Sequence, residues 1–432
     1  MKRSALLALV LLLLVPAAAP AGQLLEGAVQ VPALTVAADG GASLVSIDAD
    51  DDLDRSPELV LRRAGPSGAF DRGTLLAQSA WLPYAGFAAS GDGLVLTDEG
   101  GIRVRRFFAD GTVGPAVPLS RPGWRASPLA LDVAPSGAAL AVWEELRGRR
   151  PMRLMAAMRP AGAEGFGAPQ RLFADARSPV GLEAAAVGDR GDAVVAAGEE
   201  DCAGLHVMLA RPGGGFGRAQ RLGRGTCLAE AEMGADGTVV LAHTRVRGRP
   251  GAARYGLAVR RAAPGMARLS RARVLARRGL GSPIDIAMSP SGRIVLATGR
   301  EVTYRRTDVE VWDAAPGAPL RRTGIVGRNL ASEEVAADVD DEGRAIVAWG
   351  QDAPRPGTVV AYTLAMAARR SAAGAPFSQP EPLHEHSFQF MDVFGAALVP
   401  GGGAYVAWSA FSESDLYPPD GIRGAGVTRL PR

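Results

Sequence analysis

One short apolar hairpin motif is repeated eight times along this chain. In each copy a glycine separates two apolar runs, and successive glycines are 46 to 59 residues apart. A unit of this length predicts one small sheet built repeatedly, because such units bury their apolar faces only by stacking on their neighbours. The eight glycines are Gly40, Gly91, Gly137, Gly191, Gly237, Gly292, Gly343 and Gly402.

The residues that flank each glycine have the periodicity of β-strands. Four and six positions before the glycine the residue is apolar in all eight copies, and the position between them is often polar. This alternation is typical of a strand. Four and five positions after the glycine the residue is again apolar in every copy, which predicts a second strand covered on both faces.

Two further strands follow each hairpin, so each unit has strands a, b, c and d. Strand d is marked by a large apolar residue with a leucine six positions later, as in Phe70 and Leu76 or Phe216 and Leu222. Four antiparallel strands in roughly 52 residues predict one blade of a β-propeller. We therefore expect an all-β propeller of eight four-stranded blades, or seven if one copy is degenerate.

The last unit contains three strands and ends with residues 421–430. Residues 24–31 form a spare strand before the first hairpin. Closure of the ring would remove exposed sheet edges, which otherwise invite aggregation. The sequence therefore predicts that the N-terminal strand completes the last blade.

Residues 1–21 have the pattern of a secretory signal peptide. Lys2 and Arg3 precede an apolar run over residues 5–15, and small residues lie before Gly22. A retained N-terminal anchor is the alternative. No later run is long enough to span a membrane as a helix. We expect residues 22–432 to form one propeller domain that is secreted, monomeric and without a transmembrane segment.

The charge pattern does not indicate a nucleic-acid partner. The formal net charge is +3, and aromatic residues are not interleaved with the arginine clusters as a single-strand surface requires. We interpret these clusters as solvated loops. They comprise Arg147, Arg149, Arg150, Arg271, Arg273, Arg277 and Arg278.

The chain has two cysteines, Cys202 and Cys227. In an exported protein such a pair favours a disulfide over a metal site. Cys202 follows strand b of the fourth unit and Cys227 follows its strand d. Because those two ends point the same way in an antiparallel blade, we predict that the two cysteines are bonded.

Three copies end strand b with a tryptophan six residues after the glycine, at Val142-Trp143-Glu144, Val347-Ala348-Trp349 and Val406-Ala407-Trp408. In these motifs the chain resembles exported bacterial β-propeller repeat proteins. The resemblance covers nearly all of the mature chain and implies the fold, but propellers carry many unrelated functions. The spacing differs from that of sialidase Asp-boxes, and WD-type signatures do not recur.

Alternating aspartates after strand b of the first unit are a candidate calcium loop. Asp48, Asp50, Asp52 and Asp54 offer the carboxylate oxygens that Ca²⁺ prefers. The loop lacks the glycine and terminal glutamate of an EF-hand. A solvated acidic loop is the alternative, and no other cofactor is expected.

Acidic residues recur five positions before the turn glycine, at Asp132, Glu232 and Asp338. If strand a is innermost, these carboxylates come from alternate blades and face the central channel. They could together hold a cation. The alternative is that each accepts hydrogen bonds from the adjacent blade.

The ends of strands b form what we call the strand-b rim. Trp143, Trp349 and Trp408 could bind a sugar or a partner there, or could instead be buried between blades. Glu144 and Glu200 are acidic neighbours on the same rim. Paired carboxylates of this kind could serve glycoside hydrolysis.

No signature of catalysis is present. The four histidines share no spacing with a nucleophile, and no Gly-x-Ser-x-Gly elbow occurs. We therefore expect a secreted binding or scaffold propeller that recognises a protein, glycan or small ligand on one rim. A polysaccharide-active hydrolase or lyase that uses rim carboxylates is one alternative, and a structural envelope protein without a ligand is another.

Overall fold

The repeated hairpins form eight sheets of four antiparallel strands. The computed structural model describes residues 23–25, 28–37, 39–48, 57–65, 68–78, 83–147, 152–174, 180–247, 254–277, 279–303, 306–328, 330–353, 362–384, 390–411 and 423–431. The predicted signal peptide, residues 1–21, lies outside these ranges. No helix among them is long and apolar enough to cross a membrane.

The chain begins with β1 (Gln23–Leu25) and then forms the blades in order. Blades 1 and 2 contain β2 (Ala28–Val36), β3 (Ala42–Asp48), β4 (Glu58–Ala64), β5 (Thr74–Gln78), β6 (Tyr84–Phe87), β7 (Gly93–Asp98), β8 (Ile102–Phe107) and β9 (Val117–Pro118). Blades 3 and 4 contain β10 (Arg125–Val133), β11 (Ala139–Leu146), β12 (Arg153–Arg159), β13 (Gln170–Arg171), β14 (Val180–Val187), β15 (Ala193–Glu199), β16 (Leu205–Ala210) and β17 (Gln220–Arg221).

The second half of the chain repeats this arrangement. Blades 5 and 6 contain β18 (Thr226–Met233), β19 (Val239–Arg247), β20 (Arg254–Ala262), β21 (Arg273–Ala276), β22 (Leu280–Met288), β23 (Ile294–Thr303), β24 (Arg306–Ala314) and β25 (Arg321–Gly327). Blades 7 and 8 contain β26 (Leu330–Val339), β27 (Ala345–Ala353), β28 (Tyr362–Arg370), β29 (Glu381–Pro382), β30 (Phe390–Leu398), β31 (Ala404–Phe411) and β32 (Arg423–Leu430). One short 3-10 turn, Glu200–Cys202, follows β15.

The eight sheets close into a ring. Strand a of each blade contacts strand a of the next blade, and β30 of the last blade contacts β2 of the first. Strand a is therefore innermost and lines the central channel, as a propeller requires. The prediction of an eight-bladed propeller is confirmed.

The N-terminal strand completes blade 8, as predicted. β1 pairs antiparallel with β32, so that Gln23 faces Val427 and Leu25 faces Ala425. The predicted strand over residues 24–31 is in fact two elements. β1 supplies the outer strand of blade 8, whereas β2 begins at Ala28 and forms the inner strand of blade 1.

The turn glycines have the conformation that the repeat predicts. Their φ angles lie between 79° and 110°, a region in which other residues are strained. The glycine N–H donates to the carbonyl three residues earlier, for example from Gly137 to Ala134 at 2.8 Å. This common turn sets the register between strands a and b in every blade.

The core lies between neighbouring sheets. The residues four and five positions after each glycine, such as Leu44 and Val45 or Leu241 and Ala242, have no accessible surface. Each apolar cluster combines residues of consecutive blades. One cluster closes the ring, because it contains Leu44 of blade 1 together with Leu25 and Tyr405 of blade 8. Burial on both faces of the middle strands explains their continuous apolar runs.

Glutamine side chains connect the outer strands of consecutive blades. Gln220 in β17 accepts the N–H of Leu269 in blade 5 at 2.9 Å and donates to its carbonyl at 3.3 Å. Gln170 makes the same pair of bonds with Phe216, and Gln23 makes it with Phe70. Each glutamine lies two residues before a buried leucine of strand d, and Gln23 with Leu25 repeats this spacing in the closing strand.

These glutamines should stabilise the ring measurably. We expect Gln220→Ala to lower the free energy of unfolding by about 1–2 kcal/mol, because it leaves a half-buried backbone N–H and C=O unpaired. Gln78→Ala is the matched control, since Gln78 contacts only Glu58 at an exposed position. Thermal and denaturant unfolding of both variants measures the difference, and equal stability of the two would contradict the role.

Candidate functional site

The three tryptophans of the strand-b rim lie inside the protein. Trp143, Trp349 and Trp408 have no accessible surface. Gly327 and Gly426 make room for two of these indoles, because a Cβ at either position would lie 2.4 Å from a ring atom. Their burial agrees with the alternative that they pack between blades. None of these three indoles offers surface to a ligand on the rim.

The two rim glutamates occupy different environments. Glu144 in β11 is half-buried, and burial raises its pKa. Glu200 is exposed in the 3-10 turn that follows β15 of the next blade. Glu144 is thus partly shielded from solvent, whereas Glu200 is not.

A third rim carboxylate belongs to a charged cluster. Glu199 contacts His206 Nε2 at 2.5 Å and Arg221 Nη2 at 2.9 Å. The hydrogen bonds from His206 and then from Arg221 lower the pKa of Glu199. The cluster is an ionised carboxylate held by two nitrogen donors.

The predicted disulfide is present beside this cluster. Cys202 and Cys227 are bonded, with their Cα atoms 4.9 Å apart. The location of Cys227 differs from the prediction, because this residue lies in β18, the inner strand of blade 5, rather than at the end of blade 4. The disulfide therefore joins two consecutive blades instead of closing one.

The candidate calcium loop is described only at its first residue. Asp48 accepts a hydrogen bond from Ser46 Oγ at 2.6 Å and pairs with the buried Arg62. Asp50, Asp52 and Asp54 lie outside the described residues. A calcium ion that used Asp48 would compete with Arg62 for its carboxylate.

The inner strands carry carboxylates that reach the next blade. Asp132 in β10 accepts the N–H of Val187 in β14 at 2.6 Å. Asp338 in β26 accepts the N–H of Leu398 in β30 at 2.7 Å. An innermost strand has no strand partner on its channel side, so these carboxylates satisfy N–H groups that would otherwise be unpaired. This is the hydrogen-bonding alternative that the sequence left open.

A further aspartate has the same role but was missed from the sequence. Asp285 in β22 accepts the N–H of Ala337 in β26 at 2.6 Å. It lies seven positions before its turn glycine rather than five. Since side chains alternate with a period of two, both positions face the same way, and a search at both would have found it.

Blade 5 departs from this pattern. It carries two glutamates, Glu230 and Glu232, at the same two positions of β18. Glu230 accepts only the neighbouring N–H of Ala231, at 3.3 Å. Glu232 makes no hydrogen bond with any described residue, and the charges of the other four channel carboxylates contribute to raising its pKa.

Burial raises the pKa of all five channel carboxylates, and neighbouring channel carboxylates add to the shift of Asp285, Glu230 and Glu232. Burial raises the pKa of Asp132, Asp285 and Asp338 to about 6. Burial, followed by the charge of Asp285, raises the pKa of Glu230 to about 8. Burial, followed by the charges of Asp132 and Asp285, raises the pKa of Glu232 well above its usual value.

Within the described ranges, none of the five forms an ion pair. The described ion pairs all involve other carboxylates. No three histidine, cysteine or acidic side chains of the described residues are grouped so that they could hold one metal ion. The channel is thus an acidic surface without a resident positive charge among the residues that the structure describes.

No protein-family model matches this chain, and no curated protein sequence is similar to it. Hydrazine synthase of Kuenenia stuttgartiensis is a similar solved structure, at 12% identity and a TM-score of 0.47 over 88% of this chain and 92% of that chain. The β-propeller domain of the trilobed protease of Pyrococcus furiosus has 10% identity and a TM-score of 0.46 over 83% and 98%.

An ulvan lyase of a new polysaccharide lyase family is also similar, at 8% identity and a TM-score of 0.44 over 84% of this chain and 95% of that chain. At these identities and TM-scores, none of the three proteins indicates what this chain binds or transforms.

The raised pKa values predict how stability depends on pH. A carboxyl whose pKa is higher in the folded state than in the unfolded chain stabilises the fold below about pH 4, and this contribution is lost as the pH rises through the folded pKa. We expect the free energy of unfolding to fall between pH 5 and pH 8. Over this pH range the free energy of unfolding of Asp132→Asn should fall by about 1–3 kcal/mol less than that of the wild type. The reason is that asparagine keeps the hydrogen-bond acceptor but cannot ionise.

Asp132→Ala provides the comparison, since it removes both the charge and the acceptor for Val187. We expect it to be less stable than Asp132→Asn at both pH values. Thermal unfolding of the three proteins at pH 5 and pH 8 tests this. If the wild type and Asp132→Asn respond identically to pH, the buried carboxyl does not titrate as described.

Proposed function

We propose that this protein is an exported binding propeller whose central channel receives a positively charged group. The observation that carries the proposal is Glu232, a carboxyl without a hydrogen-bond partner among four other channel carboxyls. Placing such a group there costs stability unless it stays protonated or meets a cation. The interblade disulfide supports export, because disulfides persist mainly in oxidising compartments.

The two kinds of channel carboxylate have different roles in this proposal. Asp132, Asp285 and Asp338 accept hydrogen bonds from backbone N–H groups of the next blade, so their side chains are fixed in position. Glu230 and Glu232 have longer side chains and no such restraint. A cation that enters the channel would drive these glutamates to ionise, and binding would release protons.

The ligand chemistry is that of a compact cation. An amine or guanidinium group of a protein partner, a free polyamine and a divalent metal ion share this chemistry. A calcium ion on the Asp48–Asp54 loop is a separate way to bind a cation. Variants of the channel and of the loop distinguish the two locations.

The test is binding of spermidine, a lysine-rich peptide, CaCl₂ and MgCl₂ at constant ionic strength. We expect at least one of them to raise the melting temperature at pH 8 more than at pH 5, because the channel carboxyls ionise over that range. Calorimetry in two buffers of different ionisation enthalpy should show proton release. Glu232→Gln should weaken binding at least tenfold.

Glu164→Gln is the matched control, since Glu164 is exposed in a loop far from the channel residues in the sequence. It should bind as the wild type does. If no cation stabilises the protein at pH 8, or if Glu232→Gln binds equally well, the channel is not the site. If calcium binding is lost only in Asp50→Asn and Asp52→Asn, the loop binds it instead.

The cluster of Glu199, His206 and Arg221 favours a second candidate, a polysaccharide lyase or hydrolase acting at the strand-b rim. A lyase needs a base and a positive charge beside a uronate, and His206 and Arg221 are of those types. The ionised Glu199 does not suit the acid of a glycosidase, which must hold its proton. Incubation with acidic polysaccharides should then give products that His206→Gln does not form.

A further inference from the structure

The outer side of the ring has a groove between blades 5 and 6 whose polar lining is basic. The cavity has a volume of about 230 Å³ and is lined by Arg261, Arg271 and Arg273 together with Ser270. Its other wall is apolar and includes Leu275 and Leu320. No acidic residue lines it.

Arg261 is held in place but lacks a partner for part of its guanidinium group. Its backbone N–H donates to Ser270 Oγ at 3.1 Å, and its carbonyl accepts the N–H of Ser270 at 2.7 Å. Its Nη2 is buried without a hydrogen bond. Burial, followed by the charge of Arg273, lowers the pKa of Arg261. An unpaired buried N–H of a charged group is costly, so this arrangement is incomplete without an acceptor.

Blade 7 shows the same local structure with a carboxylate beside the arginine. The N–H of Arg369 donates to Ser378 Oγ at 3.1 Å, and its carbonyl accepts the N–H of Ser378 at 2.7 Å. These are the contacts of Arg261 with Ser270. In blade 7, however, Arg369 pairs with Glu381 of strand d at 2.8 Å.

The counterpart of Glu381 in blade 5 is Arg273. In blade 7, Glu381 of strand d faces Ala367 of strand c. Ala367 lies three residues before Arg370, which faces Ala345, the first residue of strand b. Arg273 faces Val259, which occupies the same place in blade 5. Blade 5 thus has a second guanidinium group where blade 7 has a carboxylate and blades 3, 4 and 8 have a glutamine. The described part of the chain supplies no ion pair to Arg261, Arg271 or Arg273.

We propose that the groove between blades 5 and 6 binds an organic anion, whose carboxylate, sulfate or phosphate group takes the place that the Glu381 carboxylate has in blade 7. Arginine pairs well with such oxyanions because its donors form a planar fork. The apolar wall of Leu275 and Leu320 contacts the rest of the ligand. A uronic acid or a sulfated sugar unit has both parts.

The probes are sodium sulfate, sodium phosphate, glucuronate and a uronic-acid oligosaccharide, each compared with chloride at equal ionic strength. We expect the uronate probes to raise the melting temperature and to bind at least tenfold more tightly than sulfate or phosphate. Equal binding of sulfate and uronate would contradict the apolar contact. No binding of any probe would overturn the site.

Arg273→Glu is the sharpest variant, because it rebuilds the ion pair of blade 7 inside blade 5. We expect it to melt several degrees higher than the wild type without ligand and to lose the response to anions. An undiminished response in Arg273→Glu would overturn the proposal. Arg271→Gln, at an exposed position, should weaken binding without changing the fold.

Arg218→Gln controls for net charge, since Arg218 is exposed and does not line the groove. It should bind anions as the wild type does. Glu232→Gln should also bind them normally, because the channel and the outer groove are separate. Loss of anion binding in Arg218→Gln would show that overall charge, and not the groove, is responsible.

Discussion

The contact between neighbouring sheets is the constraint on which this structure depends. The middle strands of each blade are apolar on both faces, so no sheet can be stable with only one neighbour. Leu140 of β11 packs with blade 4, whereas Ala141, the next residue, packs with blade 2. Every blade therefore needs a blade on either side, and only a closed ring provides this for all eight.

In the closed ring each sheet still has an inner and an outer edge strand. Different side chains form hydrogen bonds with the free backbone groups of each. At the channel, the inner strand has free N–H groups, and aspartates of the preceding blade accept from them. At the outside, glutamine bonds both the N–H and the C=O of the next blade, because an amide can donate as well as accept. The closing strand β1 takes part through Gln23, so it is bound like the outer strands of blades 3 and 4.

Much of this fold could be predicted from the sequence because one pattern occurs eight times. The hairpins, the blade count and the closing strand follow from repeated positions, whereas the disulfide was predicted because an exported chain has two cysteines. The error at Cys227 and the division of residues 24–31 arise where the next strand a begins only a few residues after a short outer strand. Asp285 was missed because it lies two residues from the expected position.

The burial of the tryptophans and the pKa shifts of the channel carboxylates depend on which sheets meet. The sequence of a single strand does not contain that information. Trp143 lies within β11, which continues to Leu146, whereas the sequence predicted that it ends the strand. Its Nε1 donates to the buried Glu145 of the same strand at 3.1 Å, and residues of blade 2 such as Leu94 and Leu96 belong to the apolar cluster that contains the indole. The field at Glu232 likewise comes from carboxylates of three other blades.

In a repeat protein, each blade can be compared with the other blades of the same chain. Where all blades fill a position in the same way, as with the turn glycines, the residue is explained by the fold. Glu232 and Arg273 occupy positions at which other blades place a residue with a partner, Asp338 and Glu381 respectively. Each lacks the partner that its counterpart has, which leaves a carboxyl in the channel and a guanidinium group on the outside. The two proposed ligands, a cation and an organic anion, would supply these missing partners.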